Sequence, residues 1–200
     1  MTIRATKPDL AAIIAAAALL SSCDGATANG KSSALETLER AQDQDCLFLV
    51  WGAQELRDEA FDRANDLVEG GAISCATDTT PSQYRDAIAS IRDAAAAGDR
   101  ARMLQEVGIP LLHIDRNGAR RELSDPAAIE AVFDEIFDPE LLSMMGAIEL
   151  SQLTVERESG GFFALGALWL RPDARGGRPR IVTINRQALS EALAGPPPVD

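Results

Sequence analysis

The chain has 200 residues, of which 46% are hydrophobic, enough for one substantial core and too few to call for several domains. Its formal charge is −12, which excludes nucleic acid as a natural partner, because a polyanion is held through clustered lysine and arginine. No GxSxG elbow and no GxGxxG segment is present, so the common signatures of serine hydrolases and dinucleotide enzymes are missing too.

The first element is apolar. Leu10 to Leu20 is an unbroken run of eleven apolar residues preceded by Arg4 and Lys7. A spanning helix needs about twenty such residues, whereas about seven to fifteen is the length of a signal-peptide core. Leu20-Ser21-Ser22-Cys23 closes the run, and this stretch resembles the lipobox of bacterial lipoproteins. The resemblance implies cleavage after Ser22, a diacylglyceryl thioether on Cys23 and acylation of the new amino group. Two or more acyl chains anchor stably, where one alone holds only marginally. Asp24 follows the anchor and resembles the retention signal that keeps enterobacterial lipoproteins in the inner membrane. The expected location is therefore the bacterial cell envelope, anchored by lipid and facing the periplasm, with the inner membrane favoured over the outer.

Residues 1–22 thus read as signal peptide, and 23–33 as acylated cysteine plus a small, polar, flexible tether. Residues 34–79 read as a helical N-terminal addition: Leu35 to Arg40, the apolar segment Leu47 to Trp51, and a stripe at Leu56, Ala60, Ala64, Leu67 and Val68 that stops at Gly70-Gly71. This addition carries Cys46 and Cys75, an even pair in a chain bound for an oxidising compartment, and a disulfide between them is expected. Metal binding is not expected, since the chain has one histidine and no CxxC pair.

Residues 80–187 read as an α+β domain. Thr80-Pro81 opens a helix with Tyr84, Ala87, Ile88 and Ile91 on one stripe and Gly98 at its end, and Asp99 caps a second. Ile109 to Ile114 reads as a strand and Asn117-Gly118 as a hairpin turn. Helices follow from Asp125-Pro126 and Asp138-Pro139, the first with Ile129, Val132, Phe133, Ile136 and Phe137 on one face. Leu150 to Arg157, Phe162 to Arg171 and Arg180 to Asn185 read as three antiparallel strands, with Gly166 bending the second. Residues 188–200 form a short helix and a loose tail.

The segments YRDAIASIRDAAAAGDRARMLQEV, IPLLHI, IEAVFDEIFDPELL, FFALGALWL and IVTIN follow in an order that resembles nuclear-transport-factor-2-like (ketosteroid-isomerase-like) proteins. The resemblance implies N-terminal helices and a curved antiparallel sheet covered by helices, with a pocket inside the cone. That family hosts isomerases, dehydratases, binding modules and structural domains, so the fold does not decide the function. Catalysis in such a cone needs a carboxylate base and a proton donor. His113 and Asp115, two apart on one strand, share a face and form the candidate pair; the plainer reading puts both on the solvated face beside the turn. Tyr84 reads as packing. Asp134, Glu135, Asp138 and Glu140 cluster at a helix junction without calcium-loop spacing, and helix starts account for part of the cluster. Arg171, Arg175, Arg178 and Arg180 gather at one hairpin, and Arg116, Arg120 and Arg121 at another, as solvated loops or contacts for anionic headgroups or an acidic partner. The expected function is a lipid-anchored envelope protein with a non-catalytic domain binding an envelope protein or a small apolar ligand, without a cofactor. A periplasmic isomerase or dehydratase using His113 and Asp115 is the alternative.

Overall fold

The computed structural model describes residues 46–195. Cys23, Asp24, the signal segment, the tether, the helix expected at Leu35 to Arg40 and the end of the tail lie outside the described residues. The protein is α+β, built on a six-stranded curved sheet with strand order β4-β3-β8-β7-β6-β5. In chain order the strands are β3 (Val107–Ile114), β4 (Arg120–Leu123), β5 (Thr154–Glu156), β6 (Gly160–Phe163), β7 (Leu168–Pro172) and β8 (Pro179–Asn185). The sheet is mixed and not purely antiparallel as expected: β3 and β8 run parallel, while every other neighbouring pair is antiparallel. This pairing inserts the last strand between the first hairpin and the C-terminal meander, so residues far apart in sequence meet at the centre.

The helices form for local reasons. The longest, α4 (Pro81–Ala97), has Pro81 in its first turn, Thr80 Oγ1 accepting from the Gln83 amide, and Gly98 closing it at φ 61°. Its stripe of Tyr84, Ala87, Ile88 and Ile91 is fully buried, and all but Ala87 belong to the main core cluster. Asp99 caps α5 (Arg100–Gln105). The expected Asp125 helix is split at Val132, φ −114°, into α6 (Pro126–Ala131) and α7 (Phe133–Ile136). Phe133 and Phe137 stack there at 4.7 Å. Next, α8 (Pro139–Met145) adds Leu141 and Met145 to the core, and α9 (Arg186–Ala194) adds Ala188 and Leu189.

Two expectations fail instructively. Phe162 to Arg171 is not one bent strand. Phe163 pairs with Leu168, so the segment is a hairpin whose turn is the 3-10 stretch Ala164–Gly166. Ala164, Leu165 and Gly166 have φ of 49°, 57° and 86°, and two non-glycine residues in the left-handed region give no glycine-type turn signal. The N-terminal stripe also fails. Among the described residues helix α1 covers 46–51, α2 is Glu59–Asn65, and Leu56 and Leu67 are 87% and 65% exposed. What α2 buries is Asp62, at 0% exposure.

That region is not purely helical either, since β1 (Leu67–Val68) and β2 (Gly71–Ala72) form a miniature hairpin. Gly70 is required at its tip: φ is 92°, and a Cβ would sit 2.0 Å from the Val155 carbonyl oxygen. Helix α3 (Ile73–Thr77) then brings Ile73 into the main core and Cys75 to Cys46, where the two form a disulfide with Cα atoms 5.1 Å apart. No helix among the described residues is long and apolar enough to cross a membrane.

Candidate functional site

Register decides where His113 points. Phe163 pairs with Leu168, Leu168 with Ile184, Ile184 with His113, and His113 with Arg121, giving one row across the sheet. Phe163, Leu168 and Ile184 all belong to the buried core, so His113 lies on the covered face and is itself 4% exposed. The reading that placed it on a solvated face is therefore corrected. The reason is the parallel β3–β8 pairing, which continues the inner row through the histidine.

His113 lines an open-sided cleft of about 230 Å³ with Asp115, Arg116, Asn117, Glu135, Asp138 and Arg186. The two sequence candidates are thus brought to one cleft, with different duties. Asp115 Oδ1 accepts the amides of Asn117, 2.8 Å, and Ala119, 2.9 Å, holding the β3–β4 turn. No hydrogen bond joins it to His113. Burial lowers the His113 pKa from its ordinary value, with the Arg121 charge acting the same way and Glu135 and Asp115 opposing. The imidazole is therefore neutral at neutral pH.

The residue that sequence reasoning missed is Arg186. β8 ends at Asn185, whose side chain caps α9 by accepting from the Ala188 amide, so Arg186 becomes the first helical residue and turns back under α8. Its Nη2 lies 2.5 Å from Asp138 Oδ2 and 2.7 Å from Glu140 Oε2. Arg116, from the β3–β4 turn, reaches the same two oxygens at 3.2 and 2.7 Å. Asp138 Oδ1 meanwhile caps α8 through the Leu141 amide. The acidic helix junction is thus a cross-link of two arginines and two carboxylates, besides being a helix start. One signal was available: Arg186 lies three residues before buried Leu189, on the stripe α9 turns inward.

Two buried nitrogens in this cleft lack a partner. Arg186 Nη1 and His113 Nε2 are buried and have no hydrogen-bond partner. Such atoms normally cost about 1–3 kcal/mol each when left unmade, more when charged.

Tyr84 proves to be a core residue, with its hydroxyl donating to the Leu170 carbonyl at 3.2 Å and burial raising its pKa strongly. Three of the four hairpin arginines are engaged: Arg175 with Asp78 at 3.1 Å, Arg178 with Glu106 at 2.7 Å, and Arg180 with the Gln105 carbonyl. Arg171 faces Arg180 across the β7–β8 pair. Arg121 pairs with Glu135 at 2.9 Å. An apolar groove of about 470 Å³ lies behind the cross-link, lined by Met144, Ile148, Phe163 and Leu193. Glu140 stands in its wall while its partner Arg186 lines the charged cleft. Among the described residues no group of three or more His, Cys, Asp or Glu is placed to hold a metal.

No protein-family profile, no curated protein and no solved structure matches this chain.

Proposed function

We propose that the chain is a bacterial lipoprotein, anchored at Cys23 and facing the periplasm, whose cone-like domain binds a ligand without transforming it. The Cys46–Cys75 disulfide supports export to an oxidising compartment. The cone-like reading draws support from the curved sheet with α4 packed on β8 and α8 packed on α4. Asp24 beside the anchor favours retention in the inner membrane.

One observation carries the non-catalytic reading. An isomerase of the expected kind needs a carboxylate base working with a proton donor, and the candidate Asp115 has Oδ1 held by its own turn amides and no hydrogen bond to His113. The cleft has unpartnered buried nitrogens but no assembled acid–base pair, which suits holding a molecule better than moving its protons. The enzyme reading has one point in its favour, that His113 and Asp115 do line the same cleft.

The lipid anchor is tested by growing cells on labelled palmitate. Wild-type chain should carry label and partition with detergent, and Cys23→Ala should carry none and appear as uncut precursor or soluble protein. Equal labelling of both chains overturns the anchor.

A further inference from the structure

We propose that the cleft between the β3–β4 turn and the start of α9 binds the carboxylate of a small hydroxy or amino acid, with Arg186 and His113 gripping its oxygens. This names the ligand of the binding site proposed above and rests on that reading.

The most buried part of the cleft lining is Arg186 and His113, with Asp138 beside the guanidinium. A guanidinium has five N–H groups in a rigid fork. Those of Arg186 Nη2 are turned to Asp138 and Glu140, while Nη1 is buried without an acceptor. His113 Nε2 is buried and unpartnered in the same lining, with Arg186 only 2–3% exposed and His113 4%. A neutral imidazole can place its proton on Nε2. Two such donors suit the two oxygens of one carboxylate, one N–H to each.

The outer end offers acceptors. Asp115 gives only Oδ1 to its turn, and Glu135 gives only Oε1 to Arg121. Asp115 Oδ2 and Glu135 Oε2 are thus available to a hydroxyl or ammonium on the carbon next to the carboxylate.

Charge selects against a dianion. Three guanidiniums, Arg116, Arg121 and Arg186, stand against four carboxylates, Asp115, Glu135, Asp138 and Glu140. A phosphate dianion would meet a field already slightly negative, whereas a monoanion bringing its own donor answers both ends. The cleft, about 230 Å³, has room for an acid of two or three carbons.

His113 is the chain's single histidine, so an imidazole nitrogen–proton correlation spectrum of the intact protein reports this site alone. Glycolate and glycine should shift its resonances saturably, with dissociation constants of about a millimolar for ligands of so few atoms. Acetate, lacking the second donor, should bind more weakly, and inorganic phosphate and chloride at matched ionic strength should give no saturable shift. Arg186→Lys keeps one charge for the carboxylates and removes the spare tine, and should weaken glycolate by at least about tenfold. If that chain does not fold, Asp115→Asn replaces it. The amide retains an oxygen for the turn and should weaken glycine more than glycolate.

No saturable shift with either acid, or an equal shift with phosphate, overturns the proposal and leaves the binding-module reading standing. Consumption of the bound acid, visible as product signals in the same tubes, overturns the non-catalytic reading and leaves the site standing.

Discussion

Asp62 and Arg186 are both charged side chains taken almost wholly out of water, at 0% and 2% exposure, and their surroundings differ in kind. Asp62 is satisfied on both oxygens: Trp51 Nε1 donates at 2.7 Å and the Ser82 amide at 2.8 Å. The second bond supplies an acceptor to an amide in the first turn of α4, where the helix dipole favours negative charge. Close by, Asp66 accepts from the Ser74 amide and hydroxyl, and Gln54 bridges Thr80 and the Gly176 carbonyl. One neutral atom there, Gln54 Oε1, lacks a partner. Around Arg186, by contrast, a guanidinium nitrogen and an imidazole nitrogen are both unanswered. A saturated buried charge fastens one element to another. A buried charge short of acceptors keeps capacity for something from outside. On that difference the Asp62 cluster is a latch for the N-terminal addition, and the Arg186 cluster is a site.

The sharpest way to break the comparison is at the latch. Asp62→Ala removes the acceptor of two buried N–H groups at once, each costing about 1–3 kcal/mol, so a loss of about 3 kcal/mol is expected. In a domain of this size that lowers the melting temperature by about 6–12 °C. Thermal unfolding followed by circular dichroism, with the disulfide intact in both chains, measures it. A change below 2 °C, which is less than about 1 kcal/mol, would show that Asp62 is not the fastening.

The opposite outcome is expected in the cleft. His113→Leu replaces a buried ring with an unmade bond by an apolar side chain suited to the row of Phe163, Leu168 and Ile184. Stability should stay within about 1 kcal/mol of wild type or rise, because removing an unsatisfied buried group can be neutral or favourable. Urea denaturation midpoints at neutral pH give the comparison. A loss of several kcal/mol would make His113 a structural residue and collapse the distinction between the two clusters.

Sequence reasoning reached those features whose causes are local. The α4 stripe, its Thr80-Pro81 start and its Gly98 stop all lie within one helix, and Asn117-Gly118 makes its turn with Asp115, two residues away. The shared face of His113 and Asp115 follows from alternation along one strand. What stayed hidden is set by distance. Whether that face is inner or outer is decided by Ile184, on a strand that pairs parallel from the far end of the chain. The buried side of α2 is chosen by Trp51 and Ser82, which outweigh the apolar spacing of Leu56, Ala60 and Ala64. The β6–β7 turn hides behind alanine and leucine at positive φ, where no composition rule looks for a turn.

The smallest expected effect sharpens the comparison through pH. In the folded protein His113 holds a pKa below its ordinary 6.5, chiefly because burial disfavours the imidazolium. The groups that face it oppose one another: Arg121 on the neighbouring strand and Arg186 from α9 act downward, Glu135 of α7 and Asp115 act upward. In the unfolded chain the same ring protonates at its ordinary value, so below that value the unfolded state binds more protons than the folded one. Stability from this group is complete above about pH 6.5 and falls as the pH drops toward the folded pKa, below which no further loss accrues. Between pH 7.5 and 5.5 wild type should therefore lose more stability than His113→Leu, the carboxylates contributing alike to both chains. Urea midpoints of the two chains at those two pH values measure the difference. Equal losses would mean that His113 is not held neutral by its burial, and a greater loss in the leucine chain would reverse the sign and place an acceptor on the ring that keeps it charged.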